Sequence, residues 1–216
     1  MEFAQELLIS RASSLGLALS AEQGEQFSDY LSLLLLWNAR TNLTAIRNPL
    51  LVLRHHFLDS LALTPFLTPS GRLLDVGSGA GFPGLPLKIA LPQKQVVLVE
   101  SRRKRGNFLR EVIRSLDLKG VEVIEGRAEE IDPREVGLFD EVVTRAFGSS
   151  ALFLRLSFPL LSSQGRSMIM HGPKGEELFH RMSPYWKKLG YGAGKVERFL
   201  LPLGNEERSL LVFVKP

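Results

Sequence analysis

The sequence predicts an α/β protein: a seven-stranded, mostly parallel sheet of Rossmann-like winding, closed by an antiparallel hairpin and preceded by a helical stretch. Three observations predict it. From Gly71 onward, short apolar runs alternate with helical patterns, as strands and crossover helices do. The first run, Arg72–Val76, passes into a glycine-dense turn, Gly77-Ser-Gly-Ala-Gly81, and then into a helix start. The last two runs are separated only by Pro202-Leu-Gly-Asn, too short for a crossover, so they pair antiparallel.

Residues 1–70 read as a helical extension and 71–216 as the main domain. Phe3, Leu7, Leu8 and Ala12 share one helical face, and Gly16 can end that helix. Ser20-Ala-Glu-Gln23 is a capping-box pattern that opens a second helix through Phe27, Tyr30, Leu31, Leu34 and Leu35. Asn38–Thr44 carries residues that prefer caps and turns and is expected to break it. A third helix is expected over Pro49–Leu63, with His55 and Asp59 four residues apart on one face. Pro65 and Pro69 bracket the exit.

Strands are then expected at Arg72–Val76, Gln95–Glu100, Val121–Glu125, Asp140–Thr144, Arg166–Met170, Lys195–Leu201 and Ser209–Val214. The helices between them are expected at Pro83–Leu91, Lys104–Leu116, Ser150–Leu160 and Glu176–Leu189.

Composition narrows the chemistry. There is no cysteine, which removes disulfides and thiolate metal sites. The four histidines show no H-x-x-x-H spacing, so no metal is expected. No apolar run approaches the roughly 18 residues that span a bilayer, and the acidic start is unlike a signal peptide, so a cytoplasmic protein is expected. A net charge of +4 permits a polyanionic partner without establishing one.

The glycine turn admits two readings. Gly79-x-Gly81-x-x-Gly84 satisfies the dinucleotide fingerprint and would suit an NAD(P)-dependent oxidoreductase. Asp75-x-Gly77-x-Gly79-x-Gly81 is the acid-led motif of class I S-adenosylmethionine-dependent methyltransferases. A carboxylate at the end of the first strand repels a pyrophosphate and suits a ligand with a cationic ammonium and sulfonium. The terminal hairpin also favours the methyltransferase form of the sheet.

Around the turn, Glu100 ends the second strand, where a carboxylate accepts ribose hydroxyls. Ala128-Glu129 follows the third strand and can contact an adenine edge or cap a short helix. Arg145 ends the fourth strand, where an acceptor must meet the reactive methyl, and Phe147 beyond it is either a stacking platform or core. No Asx-Pro-Pro-aromatic tetrad stands here, which argues against exocyclic-amine methylation, and the lack of cysteine argues against pyrimidine C5 chemistry. Ser101-Arg-Arg-Lys-Arg105 is the densest basic run, a phosphate-binding surface or a solvated helix start. His171 and Lys174 follow the fifth strand on a loop expected to face the crevice.

Larger blocks then carry a resemblance. They are Trp37-Asn38 with Asn42-Leu-Thr44, Arg54-His55 with Leu58-Asp-Ser60, Asp75–Gly84, and Glu100-Ser101 with Lys104-Arg105 and Phe108-Leu109, followed by Ala128-Glu129, Arg145-Ala146 and Glu207-Arg208. Over nearly the whole chain the sequence resembles the bacterial small-subunit ribosomal RNA guanine-N7 methyltransferase G family, also called glucose-inhibited division protein B.

The resemblance implies methylation of N7 of one guanine in the 530 loop of 16S rRNA, with free rRNA or the 30S subunit as partner; the sequence does not fix the oligomeric state, and a monomer is the expectation. It implies S-adenosylmethionine contacts at Gly77, Phe82, Glu100, Ala128, Glu129 and Arg145; the motif adds Asp75 and Gly79, and Ser101 and Arg102, directly after Glu100, are further candidates. It implies RNA contacts among Arg54, Lys104, Arg105 and Arg208, beside which His55 and Lys174 are further candidates. Where that family carries a lysine-glycine pair after the fifth strand, this chain has His171-Gly-Pro-Lys174-Gly, so His171 or Lys174 takes the lysine's place. With Arg145 these are the catalytic candidates. A non-catalytic RNA-binding module on the same fold is the further alternative, against which the intact cofactor motif argues.

Overall fold

The computed structural model describes residues 2–216. Seven strands form one sheet in the order β3-β2-β1-β4-β5-β7-β6. They are β1 (Arg72–Val76), β2 (Gln95–Glu100), β3 (Val121–Glu125), β4 (Phe139–Arg145), β5 (Leu161–His171), β6 (Ala193–Leu201) and β7 (Glu206–Val214). The first five pair in parallel, and β7 enters antiparallel between β5 and β6. The first three strands begin and end where the alternation of apolar runs predicts. β5 starts five residues earlier than expected, at Leu161, and β7 three residues earlier, at Glu206.

Four crossover helices cover the sheet: α5 (Gly84–Ala90), α6 (Arg103–Ser115), α8 (Ser150–Ser157) and α9 (Gly175–Lys188). A further turn of helix, α7 (Pro133–Val136), precedes β4. Leu178, Met182 and Trp186 of α9 pack with Phe213 and Leu211 on one sheet face. The N-terminal helices and α6 share a core with Leu98, Leu210 and Val212 on the other. The extension is thus built into the sheet's own core.

In that extension α1 (Glu2–Ser13) is followed by α2 (Ala21–Thr41). Ser20 opens α2 with the capping box that its sequence promises: its hydroxyl accepts from Gln23 N–H, and Gln23 Oε1 accepts from Ser20 N–H. Gln23 Nε2 also donates to the Ile89 carbonyl, fixing the helix start to α5. The expected break at Asn38 is not there, because α2 runs on to Thr41. Asn38 is buried, and its amide bonds both backbone groups of Thr44, so it folds the next loop back instead of ending the helix. The actual stop is Asn42, in the left-handed region at φ 47°.

The third helical stretch is not regular. α3 (Pro49–Val52) and α4 (Asp59–Leu61) flank a π-helical turn, Leu53–Leu58. Asp59 N–H reaches back five residues to the Arg54 carbonyl. This wider turn rotates the side chains after it and leaves the His55 carbonyl available to a donor from elsewhere. It also undoes the expected His55–Asp59 pair. His55 Nδ1 lies 3.3 Å from Glu206 in β7, whereas Asp59 turns inward to Arg145 and Arg208.

Candidate active site

The glycine turn is held from below. Asp75 is fully buried, and its Oδ2 accepts from the Gly84 N–H at 2.9 Å. A Cβ at Gly84 would collide with Leu98 and Asp75, so glycine is required where α5 starts against β1 and β2. Gly77 and Gly79 take φ of +75° and +61°, a region that L side chains rarely enter. Glu100, at the end of β2, accepts from Gly79 N–H at 2.9 Å and Arg102 N–H at 2.8 Å. The carboxylate expected at the ligand therefore also sets the shape of the loop that would hold it.

Two clefts open at the C-terminal ends of the parallel strands, of about 480 and 450 Å³. The first is lined by Gly77, Glu100, Ser101, Arg102, Ala128 and Glu129, with Arg105, Ala146 and Phe147. The second is lined by Asp59, Arg145, Met170, His171, Phe199 and Arg208, again with Ala146. The two meet at the end of β4. Arg145 faces the second cleft, Phe147 the first, and Ala146 between them belongs to both. Ala146 has φ of +60°, a costly conformation for a residue with a Cβ, and it turns the chain so that its neighbours face opposite ways.

Six residues expected at the cofactor, Gly77, Glu100, Ser101, Arg102, Ala128 and Glu129, converge on the first cleft. Gly79 lies beside it, bonded to Glu100. Phe82 does not reach it. Its ring is buried, stacked between Tyr30 (5.5 Å) and His56 (4.5 Å). Asp75 lies under the turn, with Oδ1 buried and unpartnered among the described residues. Arg145, expected at the cofactor as well as in catalysis, points its guanidinium away, over the Phe82 ring at 5.2 Å.

The residues expected at RNA divide. Arg105 belongs to the first cleft, 3.9 Å from Glu100, because α6 begins directly over the glycine turn. Arg54 is tied to Glu206 at 2.8 Å, with its side chain packed under Gly204. Arg208 is held by Asp59 and Glu206, each at 3.2 Å. Lys104 and Lys174 are exposed, and no ion pair holds either among the described residues. His171 lines the second cleft, while Lys174 caps α9 three residues further on. Phe147, the expected platform, packs toward Phe153 beside the first cleft, and the aromatic ring of the second is Phe199. Sequence reasoning did not single out Phe199, which sits opposite Arg208 on the hairpin. Only knowledge of the strand pairing finds it.

A family model described as rRNA small subunit methyltransferase G matches residues 23–199. A ribosomal RNA small subunit methyltransferase G from Geotalea uraniireducens is 38% identical over 99% of this chain and 98% of its own. One from Roseiflexus castenholzii is 42% identical over 96% of this chain and 90% of its own. The chain belongs to this family. Among solved structures, a methyltransferase from Pyrococcus furiosus matches with a TM-score of 0.59 at 21% identity, over 71% of this chain and 79% of that one. M. jannaschii TYW2 in complex with AdoMet matches at 0.53 and 19% identity, over 68% and 69%.

These structures share the fold. A methyltransferase G on this sheet uses S-adenosylmethionine as its methyl donor. The first cleft fits it, with a loop whose Gly77 and Gly79 take positive φ and a carboxylate at the end of β2. The oxidoreductase reading of Gly79-x-Gly81-x-x-Gly84 is thereby set aside.

Asp75 gives a pH signature. Burial pushes its carboxyl up to about 7, against the opposing pull of the Gly84 N–H and of Arg145. A folded value above the unfolded 3.8 means that the fold binds this proton. The stability it contributes is full below the unfolded value and is lost as pH rises through about 7. Asp75→Asn keeps an acceptor for Gly84 and cannot ionise. Its melting temperature should therefore gain on the wild type between about pH 5 and about pH 8. A constant difference over that window would place no titrating carboxyl there.

Proposed function

We propose that this methyltransferase G acts on N7 of a single guanine in the 530 loop of 16S rRNA, with S-adenosylmethionine in the first cleft and the guanine in the second. The observation that carries the reading is the seam at Ala146, which brings a cleft lined by the glycine turn and Glu100 and an aromatic, cationic cleft to one point. S-adenosylmethionine supplies a methyl on a cationic sulfur, and the in-plane lone pair of guanine N7 takes it without first losing a proton. The chain's residues therefore have to position and desolvate, not to act as a base. Asp59 is fixed between two arginines, and burial with the neighbouring Arg145 leaves the His56 imidazole a far weaker base than usual, so neither is suited to accept a substrate proton.

Phe199 offers a face on which a splayed base can stack. Arg145 and Arg208 give the wall of the second cleft a positive charge suited to guanine O6 or to a phosphate. His171, at the end of β5 and inside that cleft, stands where the family's lysine would stand. Arg145 acts at the acceptor and not along the cofactor.

The test is methyl transfer from radiolabelled S-adenosylmethionine to 30S subunits and to free 16S rRNA from cells lacking the enzyme, with the label mapped. The expected result is label at one guanine N7. Label on another atom or another nucleotide, or none, would overturn it. Arg103 and Lys104 at the start of α6 are exposed and held by no ion pair among the described residues, so phosphate-backbone contacts are expected there. Charge reversal at Arg103 and Lys104 should weaken RNA binding and flatten its salt dependence, each lost contact lowering the log–log slope by about 0.7 to 0.9. An unchanged slope would make that helix start a solvated face.

A further inference from the structure

The mechanism gives no task to the buried imidazole beside Arg145. His56 is 8% exposed, sits on the π-helical turn, and stacks on Phe82. Its Nε2 is 2.8 Å from Thr44 Oγ1, which also accepts from the Ile46 N–H. Its Nδ1 is 3.1 Å from a terminal nitrogen of Arg145. The other terminal nitrogen of Arg145 donates to the His55 carbonyl at 2.8 Å and approaches Asp59 Oδ2 at 3.4 Å.

A guanidinium has donors only, so each atom facing it must be an acceptor. A proton on Nδ1 would set N–H against N–H. It would satisfy the His55 carbonyl, 3.0 Å away, at the expense of the arginine. With Nδ1 bare, that carbonyl and the ring nitrogen are two adjacent acceptors bridged by one planar cation, a geometry that suits arginine. The ring proton then sits on Nε2 and is donated to Thr44. The π-helical turn completes the cradle, because Asp59 N–H bonds the Arg54 carbonyl and leaves that of His55 for Arg145.

We propose that His56 is a positioning residue for Arg145. As a neutral imidazole protonated on Nε2, it supplies the Nδ1 lone pair that, with the His55 carbonyl and the Asp59 carboxylate, fixes the guanidinium at the seam of the two clefts. Only the consequence for rate rests on the functional reading above; the proton assignment stands on the geometry alone. Burial and the neighbouring Arg145 act in the same direction, holding His56 neutral down to about 3. The charged and titratable groups around it are Arg145 from β4, with Asp75 and Tyr30 beyond, and His55 and Asp59 from its own stretch.

The first test needs neither cofactor nor RNA. Long-range proton–nitrogen correlation spectra of ¹⁵N-labelled protein at about pH 5.5, where a free histidine is mostly charged, should show His56 with one protonated nitrogen, Nε2, and one bare, Nδ1. An imidazolium, or the proton on Nδ1, would overturn the proposal.

The second test compares two variants in methyl transfer. His56→Leu fills the space without an acceptor and should lower kcat by about tenfold or more, with less effect on KM for S-adenosylmethionine. His56→Asn places an oxygen near the Nδ1 position and should recover most of that loss. A residue that only packs against Phe82 would give the opposite order, leucine above asparagine, and that order would overturn the proposal. If the wild type methylates no rRNA, the functional reading fails, and the nitrogen spectra alone decide the assignment of His56.

Discussion

Replacing Arg145 by alanine is expected to lower kcat for small-subunit rRNA methylation by about a hundredfold, with a far smaller change in affinity for the cofactor. The guanidinium reaches two acceptors in the π-helical turn and a third, Asp59, in α4, and lies over Phe82, so it joins β4 to the extension at the seam where the reaction is proposed to occur. It faces away from the cleft assigned to S-adenosylmethionine, and cofactor binding should therefore survive its loss. Arg145→Lys is the informative companion. It keeps the charge but has no planar fork with which to meet the His55 carbonyl and His56 Nδ1 together. A fall in kcat nearly as deep as in the alanine variant would show that orientation matters more than charge. Melting temperatures measured alongside would separate a loss of rate from a loss of fold. A kcat within about threefold of wild type in both variants would remove Arg145 from the acceptor site.

That arrangement was only partly legible in the sequence. The parallel strands were readable because strands covered on both faces are nearly continuous apolar runs, as in Val96-Val-Leu-Val99, and the glycine turn marks where the first one ends. The carboxylate of Glu100 was readable from its place at a strand end. Position along the chain could not say which arginines are free. Asp59 meets Arg208 across 149 positions and Arg145 across 86, and those meetings tie an expected RNA contact and a catalytic candidate into one internal lattice of charge. The π-helical turn has no periodicity of its own to betray it, because a donor from β4 stabilises it. Asn38 misled for a related reason. Its preference for caps is real, but a buried amide that can bond both backbone groups of Thr44 outweighs that preference.

At the opposite end of the sheet a second charge pair is expected to govern stability. Lys94 and Glu141 are both fully buried, with Nζ 2.8 Å from Oε2. Lys94 also donates to the carbonyls of Thr68 and Ser70, and Glu141 accepts from Thr68 N–H and from Arg166. The pair therefore pins the segment that leads from the helical extension into β1. Two charges taken out of water gain little over apolar residues of equal size, but one charge left behind costs several kcal/mol. Lys94→Met should destabilise the protein by about 3 to 5 kcal/mol, read from urea denaturation. It also frees the Thr68 and Ser70 carbonyls, which supplies part of that loss. Adding Glu141→Gln removes the buried carboxylate that Arg166 alone would otherwise balance, and the double variant should recover a measurable part of the difference. A double variant as unstable as the sum of the two single changes would mean that the charges do not act as a pair. The loss would then belong to the backbone contacts of Lys94 alone, and the extension would be held to the sheet by hydrogen bonds, not by the buried ions.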